Sequence, residues 1–227
     1  MSTPYPVRVN ADLEPGLSRW LWLVKWILLI PHYIVLAFLW IGFVLASLVA
    51  LIAILFTSRY PRGLFDYNVG VLRWTWRVTY YGYGALATDR YPPFTLAYVP
   101  DYPARLEVAY PARLSRGLVL VKWWLLAIPH YLVVSLLIGG GLATPSGGGL
   151  VAVLVLVAAV VLLFTDRYPE SIFDFVIGMH RWAFRVAAYA GLMTDEYPPF
   201  RLDQGGDEPE QAAQPPTDLA TPAGAGS

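Results

Sequence analysis

Residues 17–33, LSRWLWLVKWILLIPHY, return at 114–131 as LSRGLVLVKWWLLAIPHY, with one residue inserted. Each stretch opens a long run without charge. There is no Lys, Arg, Asp or Glu from 26 to 58, and none from 123 to 165. Each run exceeds the roughly 20 apolar residues that span a hydrocarbon core. How these two runs fold decides the architecture, and their similarity makes it one question asked twice.

The repetition extends well beyond the runs. YPVRV at 5–9 matches YPARL at 102–106, and LFTSRYPRGLFDYNVG at 55–70 matches LFTDRYPESIFDFVIG at 163–178. RWTWRV at 73–78 matches RWAFRV at 181–186, and DRYPPF at 89–94 matches DEYPPF at 195–200. Self-similarity at this distance marks a duplicated unit. The predicted units are 5–100 and 101–202. The remainder, 203–227, is rich in Pro, Ala and Gly and holds five acids and no base. That composition cannot build a core and predicts disorder.

Composition points to a bilayer. The chain is 57% apolar and 14% charged, against about 45–50% and about 25% in soluble domains. Its net charge is zero. Without a cysteine, it has no disulfide and no thiol-based metal or redox site. The opening MSTPYPVRVNADLEPG lacks the apolar core of a cleavable signal peptide.

The two runs differ at one place. The second contains GGGLATPSGGG at 139–149, and six glycines and a proline do not continue a helix. The predicted second hairpin is therefore 117–138 and 150–164. By internal homology the first is 19–41 and 43–56, turning at Gly42. All sixteen Lys and Arg lie outside the two charge-free runs, and two hairpins place all of them on one side, the basic cytoplasmic one. The expected protein is an all-α, multi-pass cell-membrane protein with both termini cytoplasmic. The second helix of each hairpin is short, about 22 Å at 1.5 Å per residue, so hairpins that dip into the bilayer and return are the alternative.

After each run comes an amphipathic segment, about 62–86 and 170–193, opened by Pro61 or Pro169, residues suited to a first helical turn. On a helix Asp66, Arg73 and Arg77 share a stripe, as do Asp174, Arg181 and Arg185. Charges at the bilayer centre cost about 2.5–3.5 kcal/mol each. The expectation is therefore an interfacial helix with its stripe facing headgroups or solvent; a third spanning helix per unit, with the stripe buried against partners, is the alternative. Arg73/Arg77 and Arg181/Arg185 are candidates to clamp lipid phosphate; a solvated stripe that merely fixes helix depth is the plainer reading. Short strands on the cytoplasmic face are expected from YPVRV, FTLAYV, YPARLEVAY and FRL.

IPHY occurs in both units, with His32 and His130 inside the apolar runs and Lys25 and Lys122 below them. An ionisable group at that depth is a functional candidate: two histidines meeting on a pseudo-twofold axis form a proton relay or ligand site. Alternatively, each histidine bonds a carbonyl freed by its proline. His180 faces Leu72 across the duplication and has no repeated role. No metal site, cofactor loop, nucleophile–His–acid set or nucleic-acid module is evident. A non-enzymatic module is expected, its partners the bilayer, anionic lipid or a membrane protein. A small transporter or channel using His32 and His130 is the rival.

TSRYP at 57–61, TDRYP at 88–92 and 165–169, and TDEYP at 194–198 repeat one phrase four times. They are expected to mark turns at the membrane surface.

Taken together, YPARLEVAYPARLSR, KWWLLAIPHY, FTDRYPESIFDFVIGMHRWAFRV and DEYPPF resemble the DUF4389 family, a domain of unknown function found in tandemly duplicated bacterial, mainly actinobacterial, membrane proteins. The resemblance covers about residues 5–202. It implies a membrane location and supplies no activity, ligand or catalytic residue.

Overall fold

The computed structural model describes residues 5–139 and 149–205. Residues 140–148, where the second hairpin is predicted to turn, and the tail from 206, predicted to be disordered, lie outside the described residues. The elements run β1 (Val7–Ala11), α1 (Trp22–Thr57), α2 (Arg62–Tyr81), β2 (Ala104–Val108), α3 (Leu118–Val121), a π-helical segment (Lys122–Leu126), α4 (Ile128–Ile138), α5 (Leu150–Thr165) and α6 (Glu170–Ala190). Among the described residues the chain is mainly helical with one two-stranded sheet. Of the four expected strands, those within YPVRV and YPARLEVAY form; the FTLAYV and FRL segments are not strands.

The first predicted hairpin does not form. Residues 22–57 are one unbroken helix of 36 residues, through Pro31 and Gly42 alike. Gly42 is needed for close packing rather than for a turn. A Cβ there would collide with the Tyr67 hydroxyl, which reaches across from α2 to donate to the Leu39 carbonyl at 3.0 Å.

The second predicted hairpin is also corrected. The helix does break after Ile138, but the run does not return to its start. Ser58, at the end of α1, accepts at its carbonyl from Leu114 N–H, 2.9 Å, and at its hydroxyl from Arg116 Nε, 2.8 Å. Asp166, at the end of α5, pairs with Arg19, just before α1. The two ends of the second run are therefore pinned to opposite ends of α1. A 36-residue helix is about 54 Å long, which no closed hairpin bridges. The second run proceeds antiparallel to α1.

The one-residue insertion seen in the sequence has a structural counterpart. Lys25 and His32 are seven apart, Lys122 and His130 eight, and the π-helical segment lies between the latter pair. Its wider turn absorbs one residue, so Lys122 and His130 stay on one face.

Three layers result. In the sheet, Val7 pairs with Val108 and Ala11 with Ala104, antiparallel. Val7, Val9, Ala104 and Leu106 are buried beneath it, while Arg8 and Glu107 point outward. The middle layer is α2 and α6, which meet through Trp76, 5.4 Å from Phe184 and 5.5 Å from His180 between ring centroids. Outside them lie α1 against α2 and α4–α5 against α6. On α1 the buried stripe is narrow: Lys25, Leu29, His32, Leu36, Phe43, Ala46, Ala50 and Ile54. The opposite side, including Phe38, Leu45, Val49 and Phe56, is exposed and apolar. By length and composition α1 is long and apolar enough to cross a membrane, and α3 through α4 pass the same test only as one span bent by 41°.

Candidate functional site

The arginine stripe is buried, contrary to expectation. Arg77, Arg181 and Arg185 have almost no exposed surface. Arg73 donates from Nε to the Leu106 carbonyl at 2.9 Å and its guanidinium lies 5.3 Å from the Tyr98 ring. Arg77 donates to the carbonyls of Ala97, at 2.9 Å, and Thr95. Arg181 donates to Val9 at 3.0 Å, to Asp203 and to Gly205. Arg185 pairs with the Asp203 carboxylate at 2.7 Å and sits over Tyr5. These guanidiniums fasten the sheet and its flanking loops onto α2 and α6. Their bonds go to protein carbonyls and to the Asp203 carboxylate. Burial, reinforced by the nearby Arg73 charge, pushes Arg77 down to about 10. Asp66 remains exposed and Asp174 half-buried.

His32 and His130 do not join on an axis. Each is bonded within its own repeat. Trp74 donates its indole N–H to His32 Nδ1, 3.0 Å, and Trp182 does the same to His130 Nδ1, 3.0 Å. An indole only donates, so both rings are neutral with their proton on Nε2. That nitrogen is buried in both copies without a hydrogen-bond partner among the described residues. Phe94 stacks on His32 at 4.0 Å and Phe200 on His130 at 4.3 Å. Tyr91 and Tyr197 complete the two covers at 4.9 and 4.7 Å.

The lysines belong to the same clusters. Lys25 donates to the Thr88 carbonyl at 2.6 Å and pairs with Asp89 at 3.0 Å. Lys122 donates to the Thr194 carbonyl at 2.9 Å and pairs with Asp195 at 2.7 Å. Asp89 and Asp195 also accept from the backbone N–H of Ser18 and Ser115, 2.6 Å each. The segments 88–94 and 194–200 thus wrap the Lys–His face of their own helix. Reading these phrases only as punctuation misses that role. The available signal is the Phe at the end of each YPPF, which no turn requires. The punctuation is nonetheless real: each of the four threonine hydroxyls accepts the N–H two residues on, at Arg59, Arg90, Arg167 and Glu196.

Two open pockets lie at the junctions between the units. One, about 460 Å³, is lined by Glu14, Asp166, Arg167, Glu170 and Asp174 among others. The other, about 370 Å³, is lined by Thr57, Ser58, Arg59, Arg113 and Arg116.

No curated protein and no solved structure matches the chain. The family described as "Domain of unknown function (DUF4389)" matches residues 19–95 and 120–201, one copy in each unit. The match covers the aromatic-covered Lys–His clusters of both units, and the chain belongs to this family as a tandem duplicate.

Proposed function

We propose that the protein is a non-enzymatic module that lies along one leaflet of the cell membrane and organises anionic lipid or a membrane partner on its cytoplasmic side. The observation that carries this is the position of the sheet. Arg73 and Arg181 lie midway along α2 and α6 and hold β2 and β1 there. The outer face of that sheet carries Arg8, Asp12, Arg105 and Glu107. If α1, α2 and α6 stood across a bilayer, these charges would sit near its centre, at about 2.5–3.5 kcal/mol each. Laid flat, the same layers sort themselves. The sheet meets water, α2 and α6 form the core, and the apolar faces of α1 and α3–α5 enter the hydrocarbon.

Length supports the same orientation. The charge-free run of 33 residues, 26–58, is about 50 Å as a helix, far more than a ~30 Å core requires. Lying flat also keeps every Lys and Arg on one side. The rival reading, a transporter working through His32 and His130, has no observation in its favour, since each ring is bonded to its own tryptophan and covered by its own phenylalanine.

Phe38→Glu/Leu45→Glu tests the seating, because both side chains are exposed on α1 and neither change opens the core. The variant is expected to shift from the membrane to the soluble fraction of cells. Unchanged membrane retention contradicts the proposal.

A further inference from the structure

The two junctions between the units bring equivalent residues together, with opposite outcomes. In one, Arg19 meets Asp166. In the other, the equivalent Arg116 meets Ser58. Ser58 and Asp166 are true counterparts: both end a long helix in a left-handed turn, at φ 59° and 58°. Opposite them, Gly16 in the first unit corresponds to Arg113 in the second. The duplication thus keeps the arginine, removes its acid and adds another base.

What remains is a pocket of about 370 Å³ with Arg59, Arg113 and Arg116 on its walls and no carboxylate. None of the three forms an ion pair among the described residues. Arg116 commits only Nε to Ser58, at 2.8 Å, leaving the two terminal nitrogens of its fork. The Leu114 N–H bond to the Ser58 carbonyl, 2.9 Å, ties the two walls together. Three cations gathered this way repel one another until an anion enters, and guanidinium forks match phosphate oxygens in pairs.

We infer that the Arg59–Arg113–Arg116 pocket is an anion site that takes a phosphate-bearing group, with an anionic lipid headgroup as its source. The lipid source rests on the membrane seating proposed above. Phe56, 72% exposed, lies one residue from the pocket wall, so acyl chains on the α1 face would bring their headgroup to these arginines.

The test uses the full chain in an uncharged detergent. Dioctanoyl-phosphatidylglycerol and, separately, inorganic phosphate are titrated in a calorimeter. The wild type is expected to bind saturably. Ser58→Asp is expected to bind at least tenfold more weakly, because it supplies Arg116 with the partner Arg19 already has. The same loss is expected for Arg59→Ala/Arg113→Ala/Arg116→Ala. Ser58→Asp should fold normally, since Asp166 occupies the same turn; an unchanged thermal transition checks this. Preference for the lipid supports the headgroup. Equal affinity for both probes supports the anion site and overturns the lipid source. Equal binding by wild type and Ser58→Asp, or binding of neither probe, overturns the site. Binding in micelles does not depend on how the protein lies in a bilayer, so failure of the seating leaves this result readable.

Discussion

Trp74 Nε1 lies 3.0 Å from His32 Nδ1, both residues buried, and Trp182 and His130 repeat the relationship at the same distance. It fixes the histidine tautomer and joins α2 to α1. Trp74→Phe keeps an aromatic ring but leaves Nδ1 buried without a donor. A buried unmet polar atom costs about 1–3 kcal/mol. Denaturant unfolding in detergent should show a loss of that size, and Trp182→Phe should show the same. Loss in only one of the two would mean that the repeats use their histidines differently.

The π-helical segment makes a prediction about length. Deleting Trp124, an exposed residue, leaves nine residues from Lys122 to the tyrosine of IPHY, as in the first unit. The segment should relax to an α-helix and keep both the Lys122–Asp195 and His130–Trp182 contacts. Stability should change by no more than about 0.5 kcal/mol, the scale of surface changes. Deleting Leu28 from α1 has no such slack to draw on. It rotates the helix by about 100° and separates Lys25 from His32. An orphaned buried charge costs about 3–5 kcal/mol, which the same unfolding measurement should register.

His180 gives a pH dependence. It is buried and donates from Nε2 to the Gly84 carbonyl at 2.8 Å. Burial, opposed by that bond, lowers it from 6.5 to about 4. The unfolded chain therefore binds the proton first as pH falls. The stability this group contributes is complete above about 6.5 and is lost progressively toward pH 4, by about 3 kcal/mol in all. His180→Leu, which copies the counterpart Leu72 of the first unit, should flatten the stability–pH curve in that window. Identical curves for the two proteins would contradict this.

The duplication, the two amphipathic helices and two of the four strands are legible in the residues, because each rests on local pattern. The course of the apolar runs is not. Gly42 carries the same letter whether a chain turns there or a neighbour's tyrosine passes, and only the tertiary partner, Tyr67, distinguishes the cases. The arginines mislead for a related reason. A stripe of Asp66, Arg73 and Arg77 on an apolar helix looks solvated until one sees that β2 and the 95–97 loop present carbonyls to it. The lysine–aspartate pairs join residues 64 and 73 apart, a separation that no spacing rule detects. The Arg59–Arg113–Arg116 pocket likewise joins Arg59 to two arginines more than fifty residues on, which only the antiparallel course of α1 and the second run brings together.

The most direct test of the flat, one-sided seating uses the absence of cysteine. Single cysteines are placed at Ser18, before α1, at Gly63, beyond its far end where a side chain meets no neighbour, and at Glu107 on the outer face of the sheet. Each variant is then exposed to a membrane-impermeant maleimide in intact spheroplasts and in inverted vesicles. All three are expected to label only in inverted vesicles, from the cytoplasmic side. Labelling of Ser18→Cys and Gly63→Cys from opposite sides would mean that α1 crosses the bilayer, and would contradict the account.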